Sequence, residues 1–124
     1  MADYVTILLN AAKAAKVSGT LLVAICSHES GNFRLNFAPH DHGSPSFGIC
    51  QVKEDTAKLF GFKGDPQLLM NPEINAKYAA LYLRKQLERY SGDICKATAA
   101  YNAGRFNESK KSPGKPGRGY RWRV

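Results

Sequence analysis

Long apolar runs are missing from this 124-residue chain. A membrane-spanning helix needs about 18 or more consecutive apolar residues, whereas the longest convincing run here covers only residues 21–26. The sequence therefore predicts no membrane insertion. Residues 1–4 also lack the positive charge that opens a secretory signal, and Asn10 and Lys13 interrupt the apolar stretch behind them. We expect a protein made in the cytoplasm without a signal peptide.

Cysteine is scarce, and the three in the chain are Cys26, Cys50 and Cys95. An odd number cannot pair completely, and their spacing gives neither a CxxC motif nor a zinc site with His40 and His42. Each cysteine directly follows an isoleucine, which favours small buried thiols in a reducing compartment. The sequence therefore predicts buried thiols and no cysteine metal site.

Another candidate metal-binding pattern is His40-Asp41-His42. Adjacent side chains point in different directions, however, and no further ligand stands at a spacing familiar from metal sites. A polar loop is the better interpretation of this segment. We therefore expect neither a metal nor any other cofactor.

The composition is that of an ordinary soluble protein, with 44% hydrophobic and 23% charged residues, and the length suits a single domain over residues 1–124. The net charge of +8 is uneven, because residues 105–124 hold seven of the 18 basic residues and one of the ten acidic ones. Residues 105–119 are rich in Lys, Ser, Pro and Gly without periodicity, which predicts a basic, mobile loop. Such a segment suits nucleic acid, an anionic membrane surface or the anionic polymers of a bacterial wall, and charge alone does not choose among them.

Apolar residues recur at helical spacing over most of the chain, which predicts a mainly α fold with a small irregular or β segment. Gly31 is a natural stop for the second helix. Between residues 31 and 52 the Asn, Pro, Gly, His and Ser content favours loop with one short strand over residues 47–52. The predicted helices cover residues 3–16, 20–30, 53–60, 71–90 and 93–104, and the long fourth helix would bury Ala76, Ala80, Leu83, Leu87 and Tyr90.

Glu29 is the candidate catalytic residue, because it shares one stripe of the second helix with Leu22 and Ile25. Burial there and the negative end of the helix dipole both disfavour ionisation, so we predict a raised pKa for Glu29. A protonated carboxylic acid beside a polar loop is what protonation of a glycosidic oxygen requires. On position alone, the alternative is a frayed helix end at which Glu29 simply reaches water.

Three short motifs follow one another in the chain: Glu29-Ser30-Gly31-Asn32-Phe33, Ser46-Phe47-Gly48-Ile49-Cys50-Gln51-Val52 and Ala100-Tyr101-Asn102-Ala103-Gly104. In this order and spacing they resemble the lytic transglycosylases with a goose-lysozyme-like fold, over nearly the whole chain. The resemblance implies a lysozyme-like α+β domain in which the β segment lies beside the active-site cleft. Two departures from the family pattern are Phe33, which comes one residue late, and Cys50, which replaces the common Met.

The resemblance also assigns roles to individual residues. It implies that Glu29 is the acid/base and that Gln51 hydrogen-bonds sugar near the cleavage point, with Gly48 allowing close approach. It further implies that Tyr101 and Asn102 hold the adjacent N-acetyl sugar.

Two more residues are candidate sugar contacts. Ser46 stands just before the second motif. Tyr120 corresponds to the late tyrosine of the family, although Arg121 replaces the Val that usually follows. The alternative for Tyr120 is packing against Trp122.

The implied reaction is cleavage of the β-1,4 bond between N-acetylmuramic acid and N-acetylglucosamine in peptidoglycan. Glu29 would protonate the bridging oxygen and then, as a carboxylate, take the proton of the muramic 6-hydroxyl, which closes a 1,6-anhydro ring without water. Because the substrate's acetamido group supports the oxocarbenium-like transition state, no second carboxylate is needed. The hydrolytic alternative is a muramidase that uses Asp41, 12 residues after Glu29, to position water.

A function of a different class is a non-catalytic module whose basic C-terminal segment binds nucleic acid or glycan, with Tyr120 and Trp122 stacking on the ligand. This alternative leaves the three motifs unexplained. We therefore expect a monomeric enzyme that binds peptidoglycan glycan strands and has no nucleic-acid partner. It would reach the wall through phage lysis, delivery by a virion or a dedicated secretion machine.

Overall fold

The computed structural model of the protein describes residues 3–33, 37–38 and 45–103. Its elements, in chain order, are α1 (Tyr4–Ala15), α2 (Gly19–Ser30), β1 (Phe37–Ala38), β2 (Ser46–Phe47), β3 (Val52–Lys53), α3 (Glu54–Lys58), a 3₁₀ helix (Pro66–Met70), α4 (Pro72–Arg89) and α5 (Ile94–Ala103). Helices dominate and a small sheet interrupts them, which confirms the predicted mainly α, α+β architecture. None of the described helices is both long and apolar enough to cross a membrane.

The first two helices form a helical hairpin with well-defined ends. Asp3 caps α1 by accepting a hydrogen bond from the backbone N–H of Val5, and Ser18 caps α2 by accepting one from the N–H of Leu21 at 3.1 Å. Such side-chain caps satisfy backbone donors that a helix start leaves open. The buried faces of the two helices pack against each other. Their buried residues are Ile7, Leu8, Ala12 and Ala15 on α1 and Leu22, Ile25, Cys26 and Ser30 on α2.

The sheet contains three antiparallel strands in the order β1-β2-β3. Phe47 in the central strand pairs with Phe37 on one side and with Val52 on the other. The prediction of one strand over residues 47–52 was wrong, because Phe47 ends β2, Val52 begins β3, and residues 48–51 form the turn between them. Each strand is only two residues long, which is too short for the alternation that identifies a strand in sequence.

The chain divides into two compact units, residues 1–82 and 83–124, with the boundary inside α4. In the first unit Ala76 and Ala80 of α4 are completely buried, and in the second Leu83 is completely buried, as predicted. Leu87 and Tyr90 are only half-buried. Asp93 caps α5 by accepting a hydrogen bond from the N–H of Lys96. The single domain over residues 1–124 stays a prediction.

Candidate active site

Glu29 lies in the last turn of α2 and is half-buried. The next residue, Ser30, is completely buried and holds the end of the helix together. Its hydroxyl donates to the carbonyl of Cys26 at 2.8 Å and accepts from the N–H of Phe33 at 2.8 Å. The backbone on both sides of Glu29 is therefore tied through one buried side chain.

The chain reverses sharply directly after Ser30. Gly31, Asn32 and Phe33 adopt left-handed conformations in succession, with φ values of 64°, 71° and 67°. The N–H groups of Gly31 and Asn32 both donate to the carbonyl of Ser27, and the Ser27 hydroxyl donates to the side-chain oxygen of Asn32. The Ser27 carbonyl at the helix end is thus satisfied. The helix that carries Glu29 therefore ends at a hydrogen-bonded cap.

A disulfide joins Cys26 to Cys50, and both residues are completely buried. This corrects the prediction of unpaired thiols, and Cys95 is exposed where burial was expected. Spacing rules could not reveal the pair, because the two cysteines meet only when α2 packs against the turn after β2. The disulfide removes the basis for assigning a reducing compartment, since such bonds persist in oxidising ones. It also joins two motifs, because Cys26 is one turn before Glu29 and Cys50 directly precedes Gln51.

The turn between β2 and β3 carries the second motif. Gly48 has a φ of 78° and Gln51 a φ of 51°, a conformation that is uncommon for residues other than glycine. Both the backbone and the side-chain amide of Gln51 donate to the carbonyl of Gly48, at 3.2 and 2.9 Å. Ser46, by contrast, is completely buried in β2, whereas Gln51 is half-buried.

Asn75, which the sequence analysis did not single out, fixes this turn from α4. Its side chain is completely buried. Its oxygen accepts from the N–H of Cys50 at 2.8 Å, and its nitrogen donates to the carbonyls of Phe47 and Leu69 at 2.8 and 2.7 Å. Burial of an amide is favourable only when its groups are paired. A polar residue among the buried alanines of α4 was the available signal.

Gly48→Ala is expected to destabilise the protein by about 2–4 kcal/mol, from the left-handed φ and from overpacking. A Cβ at Gly48 would lie 2.7 Å from Asn75 Nδ2 and 2.8 Å from the carbonyl oxygen of Leu69. Gly61→Ala is the matched control, because Gly61 also has a positive φ, 93°, but open space around its Cα. Urea unfolding should show a clearly larger loss for Gly48→Ala, and equal losses would mean that the close contact is unimportant.

The third motif lies in the second unit. Tyr101 is buried near the end of α5, with 7% of its surface exposed, and Asn102 is the next residue of the same helix. Tyr120, Asp41, His40 and His42, and the predicted loop over residues 105–119, lie outside the described residues. Within the part of the chain that the structure describes, no cluster of three or more His, Cys, Asp or Glu side chains is placed to hold a metal.

Comparison with known proteins agrees with the fold and the motifs. The family model for the transglycosylase SLT domain matches residues 7–120. The chain therefore belongs to the transglycosylase SLT domain family, and its predicted likeness to the lytic transglycosylases is confirmed.

The named relatives come from two genera. Protein IpgF of Shigella sonnei and protein IpgF of Shigella flexneri are each 31% identical over 97 residues, which are 77% of this chain and 63% of the relative. The chain thus spans less than two thirds of these relatives. Among solved structures, an inactive mutant of the lytic transglycosylase Slt from Pseudomonas aeruginosa matches with a TM-score of 0.69 and 26% identity. That match covers 80% of this chain and 16% of the Slt chain.

Proposed function

We propose that this protein is a peptidoglycan lytic transglycosylase that cleaves the β-1,4 bond between N-acetylmuramic acid and N-acetylglucosamine, with Glu29 as its single acid/base. One observation carries the proposal: a disulfide joins the capped helix end that bears Glu29 to the turn that bears Gln51. The bond thus links two of the three motifs that carry the resemblance to lytic transglycosylases, in a chain whose family match covers residues 7–120.

The proposed reaction has two proton transfers on one carboxyl group. Glu29 first donates its proton to the bridging oxygen, and the bond from that oxygen to the muramic C1 breaks. The muramic 6-hydroxyl oxygen then bonds to C1 while its proton returns to Glu29, so the enzyme regains its starting state. Half-burial suits both steps, because it limits water around the carboxyl group without fixing one charge state.

Sugar recognition is proposed for residues of the other motifs. Gln51 is proposed to hydrogen-bond the sugar next to the cleavage point, with Gly48 allowing the backbone of the turn to approach closely. Tyr101, Asn102 and Tyr120 are proposed to hold the neighbouring N-acetyl sugar. The solved Slt relative is described as inactive after one glutamate was replaced by glutamine, which supports a mechanism that needs a glutamate carboxyl group.

The product distinguishes this reaction from hydrolysis. We expect digestion of purified peptidoglycan to yield 1,6-anhydromuramoyl ends, because Glu29 activates the substrate's own hydroxyl. Liquid chromatography with mass detection checks this directly, since an anhydro product is lighter by one water than the hydrolysed muropeptide. If only reducing ends are found, the protein is a hydrolytic muramidase and not a transglycosylase. In that case Asp41→Asn should abolish activity.

The partners and the site of action follow from the same proposal. The protein is proposed to act as a monomer on glycan strands, with no nucleic-acid partner, after delivery to the wall by phage lysis, a virion or a dedicated secretion machine. The Cys26–Cys50 disulfide supports an oxidising site of action. Light scattering after size-exclusion chromatography tests whether the protein is a monomer. An electrophoretic shift assay with random DNA tests whether it binds nucleic acid.

A further inference from the structure

The side chain of Asn75 bridges three separate backbone segments. It reaches Phe47 at the end of β2, Cys50 inside the turn and Leu69 in the 3₁₀ helix, with all three distances between 2.7 and 2.8 Å. Its oxygen and both of its amide protons are thereby used within a completely buried environment. Loss of this side chain would leave one backbone N–H and two carbonyls without their partner.

The turn between β2 and β3 also packs closely against the side-chain amide of Asn75. Gly48 faces Asn75 so closely that a Cβ at position 48 would come within 2.8 Å of two of its atoms. A turn held this tightly can keep Gln51 in the left-handed conformation, with a φ of 51°, that an isolated chain would seldom adopt. The Cys50 N–H that Asn75 holds belongs to the residue directly before Gln51.

We propose that Asn75 is a positioning residue, which sets the direction of Gln51 toward the sugar without touching the substrate itself. This inference rests on the proposed function of Gln51 as a sugar contact. The disulfide fixes the turn to α2 through the side chain of Cys50, whereas Asn75 fixes the same residue to α4 through its backbone. The two attachments together leave Gln51 little freedom of direction.

The test compares Asn75→Ala with Asn71→Ala. Asn71 is the matched control, because it is exposed and caps the same helix by accepting from the N–H groups of Glu73 and Ile74. Both changes weaken α4, so both should lower the unfolding temperature. We expect kcat/KM on purified peptidoglycan to fall at least tenfold in Asn75→Ala, mainly through KM, and less than twofold in Asn71→Ala, with both measured well below unfolding.

A second measurement separates positioning from a general loss of structure. In a Gln51→Ala background, Asn75→Ala should lower activity no further, because the group that it positions is already gone. The loss of stability caused by Asn75→Ala, in contrast, should add to the loss caused by Gln51→Ala. Equal fractional losses of activity with and without Gln51 would overturn the proposal, as would wild-type kcat/KM in Asn75→Ala.

If Asn75→Ala is not fully folded under the assay conditions, Asn75→Asp takes its place in the same double-mutant comparison with Gln51→Ala. It keeps the shape and the oxygen that accepts from Cys50, but it replaces the donors to Phe47 and Leu69. Its activity loss should again vanish in the Gln51→Ala background, and persistence of that loss would reject the positioning role. An inactive wild-type protein in this assay would overturn the proposed function together with the inference, whereas an active wild type with uncoupled Asn75 variants would overturn the inference alone.

Discussion

Glu29→Gln is expected to lower peptidoglycan cleavage by about 10²–10⁴-fold, the range that one general acid/base group contributes. The amide keeps the shape of the side chain but cannot donate a proton to the leaving oxygen or remove one from the 6-hydroxyl. Release of soluble muropeptides from purified walls measures the loss. Because Glu29 is half-buried at a capped helix end, the circular dichroism spectrum should stay that of the wild type.

Glu73→Gln is the control for this experiment. Glu73 is an exposed glutamate in the first turn of α4, so Glu73→Gln makes the same chemical replacement at a residue outside the three motifs. It should retain nearly full activity. Retention of more than about a tenth of the activity in folded Glu29→Gln would show that another group is the acid.

The second large effect concerns the disulfide. Replacing Cys26 and Cys50 together by serine is expected to destabilise the protein by about 3.5 kcal/mol, which is the loop-closure value for a sequence separation of 24. Cleavage should fall as well, because the turn that carries Gln51 loses its attachment to the helix that carries Glu29. Urea unfolding and wall digestion, with and without reductant, measure the two effects.

Cys95→Ser is the matched control, because Cys95 is free and exposed. Its unfolding midpoint and activity should equal those of the wild type. Alkylation of the unreduced, unfolded protein should add one label, and three labels would show that Cys26 and Cys50 are thiols. A double variant as stable as the wild type would contradict the expected contribution of the bond.

Local features of the sequence predicted most of the helical framework. The stop at Gly31 and the periodic apolar faces each depend on neighbours within a few residues, and the structure confirms them. Glu29 was found in the same way, as a carboxylate at the end of such a helix. The raised pKa of its carboxyl group stays a prediction.

What the sequence missed depends on contacts between distant residues. The Cys26–Cys50 bond and the hydrogen bond from Cys50 to Asn75 span 24 and 25 residues, and no spacing rule connects such partners. The short strands were not predicted for a different reason, since two residues are too few to show the alternation of apolar and polar side chains that identifies a strand. Nothing in the local sequence marked Ser46 as completely buried.

The helix end beside Glu29 carries a consequence for the evolution of this protein. Asn32 and Phe33 hold left-handed conformations, which asparagine adopts readily, whereas for Phe33 the conformation costs about 1–2 kcal/mol. Glycine at position 33 would remove that cost. The ring of Phe33, 6.2 Å from that of Tyr4 between centroids, anchors this bend to α1. Glycine at that position would also lose this ring contact, so few residues could replace Phe33 during evolution without a loss of stability.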